Sequence, residues 1–446
     1  MKEAGVSNID ADIRHHLIAV EPFKLTKKQI ELLNNLGNHI LKFYKACNSL
    51  YFGSDYTWVS HYLDIGKPDD VIRQTRMKYH KKSVPRIIRP DILIGKDNLV
   101  ITELDSVPGG MGHLANLSKY YSDKGYQLVG GNDGMVQGFA KILKDVCNNE
   151  NPVCAIVVSD ESSDYLPEMK YLADELRNID IQAYTIHPSE IIFEDENIYI
   201  QTGNGKLKID ITYRFYELFD LLNIPKSELI AYAAKKKSIS ITPPLKHNLE
   251  EKMLLAFIHH PVLKEYWLNN LGAETFEILS KYISPTYILD SRPVPPHSEI
   301  CGFKWKNMPI QDWKVIKYGS QKERMLVIKP SGFSPLAWGS RGVIVGHDMS
   351  QESWADAVDS ALNDFTSSPW VLQPFAESET IKIEHYIENS KEIAEMKAKV
   401  RLCPYYFVSN DNAELAGVMA TACPNNKKII HGMKSAVISP CIEEND

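Results

Sequence analysis

Along this chain, segments whose apolar residues recur every three to four positions alternate with short runs that are apolar throughout. Ile30, Leu33, Leu36, Ile40, Phe43 and Tyr44 fall on one face of a 3.6-residue period, which predicts an amphipathic helix over residues 25–50. It opens a helical N-terminal portion running to about residue 82. Two short apolar runs follow, 92–94 and 99–104, separated by Gly95-Lys96-Asp97-Asn98, and read as a hairpin. Between 152 and 221 the pattern changes. Residues 153–158 are continuously apolar, 165–177 carry a helical period, and 182–186 read as a second strand. That alternation predicts an α/β lobe with parallel strands. A hairpin turning at Gly203-Asn204-Gly205 is expected within 191–209, then a strand over 211–216 and a helix-rich stretch over 249–271. Further on come a strand (325–328), a glycine-rich loop, a strand (342–345), a helix (350–365) and a strand (370–375). The pattern closes on an antiparallel pair, 401–408 with 414–421. There is no internal repeat.

Composition narrows the classes. A chain of 446 residues has room for two or three lobes around a shared cleft. Its net charge of −7 argues against a nucleic-acid or anionic-membrane partner. No apolar run approaches the roughly 20 residues that span a bilayer. Residues 1–14 lack the apolar core of a secretion signal. The seven cysteines are scattered and never spaced C-x-x-C, which favours reduced thiols and a cytoplasmic setting. No G-x-S-x-G, H-E-x-x-H or Cys/His pair points to hydrolase chemistry. A Walker-type phosphate loop is missing as well.

Four segments carry candidate chemistry. The first is Arg89-Pro90-Asp91 with Glu103-Leu104-Asp105. Residues two apart on a strand face the same side, so Glu103 and Asp105 share a face that Asp91 can join across the hairpin. Three converging carboxylates repel unless a cation lies between them, and magnesium suits oxygen ligands best. Taken alone, an E-x-D pair reads first as a solvated hairpin face. The second is the Pro108 to Gly112 turn, whose N–H groups suit an anion or simply feed a helix over 116–121. The third runs from Lys329-Pro330-Ser331-Gly332 to Gly339-Ser340-Arg341-Gly342. A lysine ending a strand, a loop of small residues and an arginine suit a flap over phosphates, or a hairpin with a mobile tip. The fourth, residues 370–375 ending in Gln373-Pro374-Phe375, is either a core strand or a hinge whose backbone meets an adenine edge. Lys252 by default faces solvent from a helix after Pro243-Pro244. His259 and His260 read as cations at a helix C-terminus. Arg214 and Arg401 are either carboxylate ligands or structural ion pairs.

In this order, the segments resemble the synthetase domain of glutathionylspermidine synthase and related circularly permuted ATP-grasp proteins. Arg89-x-Asp91 and Glu103-x-Asp105 resemble the family's R-x-D and E-x-N elements, with Asp105 in place of Asn. Pro243-Pro244 with Glu251-Lys252 resembles its Pro-Pro stretch and N-K pair. Lys329-Pro330 with Gly339-Ser340-Arg341-Gly342 resembles K-P and G-R-E-G, with a longer flap, and Gln373-Pro374-Phe375 echoes Q-x-F. The acids precede the gripping lysine, which is the permuted order.

The resemblance implies an α/β (α+β) ATP-grasp fold of two to three lobes, divided as 1–85 (helical), 86–150 (acidic strands and glycine turn), 151–240 (substrate side) and 241–446 (nucleotide-gripping). It implies magnesium on Asp91, Glu103 and Asp105, and Arg89 on the transferred phosphate. Lys252, Lys329 and Arg341 would contact ATP, with Gln373, Pro374 and Phe375 around the adenine. The expected reaction joins a small-molecule carboxylate to an amine through an acyl-phosphate. A phosphotransferase on the same scaffold and a non-catalytic nucleotide-binding protein are the alternatives. Oligomeric state stays open.

Overall fold

The computed structural model describes residues 16–444, apart from 97, 338, 388–391 and 433–434. The expected first helix spans Lys27–Phe52. A reciprocal capping box starts it: the Thr26 hydroxyl accepts from the Gln29 N–H at 3.3 Å, and the Gln29 side chain accepts from the Thr26 N–H at 2.9 Å. Its apolar face packs on the largest sheet, where a side chain at Gly37 would meet the Tyr406 ring at 2.3 Å. Helices Thr57–Asp64 and Asp69–Thr75 continue the helical portion.

That sheet has eight strands. Its spine is a hairpin of Ile393–Ser409 and Asn412–Pro424, longer than the pattern predicted. Asn410 and Asp411 make the turn with φ of 49° and 61°, the left-handed pair that two-residue hairpins need and that Asn and Asp tolerate. Ile87–Ile94 lies antiparallel beside Ile393–Ser409, and Leu99–Asp105 beside Ile87–Ile94, which is the expected acidic hairpin.

Val153–Val158, Gln182–Ile186, Ile211–Phe215 and Ser240–Thr242 form a four-stranded parallel sheet. Helix Leu166–Asn178 makes the first crossover. Alternate residues of Val153–Val158 enter two different core clusters, so both faces are covered and the run is apolar throughout. Residues 192–208 form three antiparallel strands, the expected hairpin plus one more. A further antiparallel sheet holds Tyr287–Ile288, Trp370–Pro374, Leu326–Pro330 and Ile344–Val345, with helix Gln351–Asn363 packed on it through Trp354.

The 249–271 stretch is helix-rich, as expected. Helices Leu254–Ile258 and Lys264–Leu271 are separated around Pro261, and Lys252 sits in the turn before the first of them. It is buried rather than solvent-facing. His259 caps helix Leu254–Ile258 at the helix end expected there, and burial holds both His259 and His260 below the ordinary imidazole range, against a cationic role. The fold is mixed α/β. All seven cysteines are free, and no described helix is long and apolar enough to cross a membrane.

Candidate functional site

The register of the acidic hairpin sets the site. Arg89 lies opposite Asp105 and Asp91 opposite Glu103, so all four side chains project from one face. Arg89 Nε contacts Asp91 Oδ1 at 3.1 Å and Arg89 Nη2 contacts Asp105 Oδ2 at 2.8 Å. Arg401, from the neighbouring strand, reaches Asp91 Oδ2 at 2.7 Å. Glu103 turns to two lysines: Lys252 at 2.9 Å and Lys329 at 4.0 Å.

This pairing corrects the argument that the acids require a metal. Their mutual repulsion is already offset by arginines and lysines of the chain. Burial would push Asp91 up, but Arg401 and Arg89 outweigh it and hold it below the usual carboxylate range. Burial raises Asp105 above that range, against the pull of Arg89. Among the described residues no three carboxylate, histidine or cysteine side chains gather in a metal-holding arrangement. Asp91 has each oxygen on an arginine, and Asp105 Oδ1 accepts from the Val107 N–H at 2.9 Å. As arranged, the three acids do not fit magnesium.

The basic side chains do converge. Arg89, Lys252, Lys329, Arg341 and Arg401 line one cavity of about 300 Å³, together with the three acids. Lys329 ends its strand as expected, donating to the Thr102 carbonyl at 2.9 Å, and burial lowers its ammonium to about 8. Burial also pulls Lys252 down, but Glu103 outweighs it and raises the group above its ordinary range. The Lys252 ammonium donates at 2.7 Å to the carbonyl of Ala337 in the flap, residues 331–343. Arg341, further along the flap, reaches Glu161 of the α/β lobe at 2.8 Å. A buried pair beneath anchors the flap root: Glu251 meets Lys67 at 2.6 Å and accepts from the Ser331 hydroxyl and the Phe333 N–H.

Two expectations change. The glycine turn does cradle an anion, but the anion is the chain's own Glu168, which accepts from the N–H groups of Gly110 and Gly112 at 2.8 and 3.1 Å. Close packing explains the glycines: a side chain at Gly112 would lie 2.2 Å from the Glu168 carbonyl. Gln373, Pro374 and Phe375 do not line the cavity. The Gln373 amide is buried, donating to Thr286 Oγ1 at 2.9 Å and Thr102 O at 3.2 Å. The Phe375 ring packs edge-on against His347, and its N–H bonds Met325 O at 2.9 Å. Pro374 borders a separate surface depression beside Tyr287 and Trp305. Of the two arginines left open, Arg401 lines the cavity, whereas Arg214 is fully buried and bound to Glu250 and to the carbonyls of Tyr216, Pro243 and Pro244.

Glu168, Glu217 and Glu250 also line the cavity, although no sequence motif singles them out. One signal was available for Glu217. It lies just past the carboxyl end of the parallel strand Ile211–Phe215, where open α/β sheets place their ligands.

No family model matches the chain, and no curated protein matches it. Among solved structures, it is similar to a glutathione synthetase-like effector, GSS30, from Globodera pallida in its apo form. That likeness has a TM-score of 0.62 at 11% identity and covers 99% of this chain and 95% of the other. It shows a shared fold. A putative gamma-glutamylcysteine synthetase from Methylobacillus flagellatus KT aligns over 91% of this chain and 84% of its own. Its identity is 9% and its TM-score 0.43, too low to bear on the argument.

Proposed function

We propose that the chain is an ATP-dependent carboxylate–amine ligase of the circularly permuted ATP-grasp type, related to the synthetase domain of glutathionylspermidine synthase. The supporting observation is the convergence of Arg89, Lys252, Lys329, Arg341 and Arg401 on one cavity. These bases belong to elements that are far apart in sequence.

In this reading Lys252 and Lys329 hold phosphate oxygens of ATP, and Arg341 closes over them from the flap. Arg89 and Arg401 neutralise the transferred phosphate and the substrate carboxylate, with Asp91 fixing both guanidinium groups. A carboxylate oxygen attacks the γ-phosphorus, giving an acyl-phosphate and ADP. The neutral amine nitrogen then bonds to the acyl carbon as phosphate leaves with the electron pair of the broken C–O bond and takes up the proton the nitrogen loses. The chain's part is to orient, to neutralise charge and to exclude water, so no protein nucleophile is needed. No step is assigned to magnesium, because the acids as arranged do not fit it.

An ADP-release assay over a panel of amino acids and amines tests the proposal. ADP formation that needs both an acid and an amine, and that is lost in Lys329→Met, is the expected result. Absence of both ATP turnover and ATP binding across the panel would refute it. The internal pairing of Asp91, Glu103 and Asp105 also favours a second reading, a non-catalytic polyanion-binding protein, since the paired acids are stable without a metal. Binding of ATP with no turnover for any pair would select it.

A further inference from the structure

We infer that the buried cluster of Lys67, Glu251 and Ser331 is a positioning device, which fixes Lys252 relative to Lys329 and so sets the affinity of the cavity for nucleotide phosphates. The inference rests on the ligase reading of the same site.

Lys252 and Lys329 come from distant parts of the chain, yet both ammonium groups meet Glu103. A small set of hydrogen bonds joins their backbones. The Lys252 N–H donates to the Ser331 carbonyl at 2.8 Å, and the Met253 N–H donates to the Ser331 hydroxyl at 2.9 Å. That hydroxyl donates in turn to Glu251, whose other carboxylate oxygen accepts from the Phe333 N–H at 3.3 Å. Glu251 therefore adjoins one phosphate lysine and is bonded to the residue two beyond the other. The approach is close enough that a side chain at Gly332 would lie 2.7 Å from the Glu250 carbonyl oxygen. The Ser331 N–H donates to the Pro369 carbonyl at 2.8 Å, which ties the junction to the antiparallel sheet.

The charge on Glu251 is answered from outside the cavity. Lys67, in the connection between helices Thr57–Asp64 and Asp69–Thr75, meets it at 2.6 Å, and both side chains are buried. None of Lys67, Glu251 and Ser331 lines the cavity, so the cluster acts through the lysines rather than on a ligand. An apolar pair of similar volume can be as stable as a buried ion pair. What the carboxylate supplies, and an apolar side chain does not, is a pair of acceptors at fixed places for Ser331 and Phe333. Displacing a charged group by about 1 Å can cost about 100-fold in the function it serves.

Two double variants separate positioning from stability. Lys67→Met with Glu251→Gln and Lys67→Met with Glu251→Leu both remove the buried charges, and only the first keeps an acceptor for Ser331 and Phe333. A non-hydrolysable ATP analogue is titrated calorimetrically into the full chain and each variant, with urea unfolding of each alongside. The Gln variant should bind within about threefold of wild type and the Leu variant at least about tenfold more weakly, at comparable urea stability. Hydrogen exchange at the amides of Lys252, Met253 and Phe333 should be faster in the Leu variant. Ser331→Ala, which leaves the ion pair intact, should weaken the analogue too and gives the same test if the Leu variant does not fold. Wild-type affinity in the Leu variant or in Ser331→Ala overturns the positioning role and leaves the ligase reading standing, as do equal losses in the two double variants. No analogue binding by the wild type refutes the ligase reading and the positioning role with it.

Discussion

Removing the Glu251 carboxylate should destabilise the protein by more than most substitutions do. Glu251 is 1% exposed and its partner Lys67 is 0% exposed, with 2.6 Å between the charged atoms. Glu251→Ala leaves an ammonium buried without its counter-charge, a change that costs roughly 3–5 kcal/mol. Ser331 Oγ and the Phe333 N–H lose their acceptor as well, at about 1 kcal/mol each where water cannot replace it. The expected loss is therefore at least about 3 kcal/mol. Lys67→Met with Glu251→Leu should recover more than half of it, since an apolar pair of similar volume can replace a buried ion pair. Urea unfolding followed by tryptophan fluorescence and far-ultraviolet circular dichroism measures this. The first transition is the one to compare, because a chain of several lobes need not unfold in one step. Burial would raise Glu251, but Lys67 outweighs it and holds the folded carboxyl below its unfolded value. Its contribution is thus full at neutral pH and is lost as the pH falls below about 4.3. A loss under 1 kcal/mol for Glu251→Ala would refute the reasoning.

Three further predictions bear on the site. Burial places Lys329 at about 8, so in the free protein its charge is present below that pH and lost above it. Affinity for inorganic pyrophosphate, measured by titration calorimetry, should weaken as the pH rises through 8, and Lys329→Met should flatten that dependence. Arg341 and Glu161 are about half and one third exposed, so Glu161→Ala should change urea stability by less than about 1 kcal/mol. Limited proteolysis should nevertheless cut residues 331–343 faster in that variant. Gly112→Ala places a methyl group 2.2 Å from the Glu168 carbonyl, and overpacking of this kind costs roughly 1–3 kcal/mol by urea unfolding.

Local periodicity and chain order made much of this fold readable. The run at 153–158 is apolar because it is covered on both faces, and the acidic hairpin is legible because Gly95 to Asn98 separate two apolar runs. Lys252 was misplaced because turn and helix share composition around Leu254–Ile258, and only the contact with Glu103 shows that it is buried inward. What stayed hidden is long-range pairing. Arg401 and Asp91 are 310 residues apart, and Glu168 reaches Gly110 from 58 residues away. No local pattern announces that an arginine, rather than a metal, will answer an acid. Gln373 shows the converse: a motif that looked like an adenine hinge spends its amide on Thr102 and Thr286 inside the core.

Whether the basic wall of the cavity grips nucleotide phosphates is decided by calorimetric titration of a non-hydrolysable ATP analogue into the full chain. One site per chain is expected, weakened at least tenfold in Lys252→Met and in Lys329→Met. An undetectable heat at millimolar analogue, with or without added magnesium, would contradict it, as would binding that neither substitution alters.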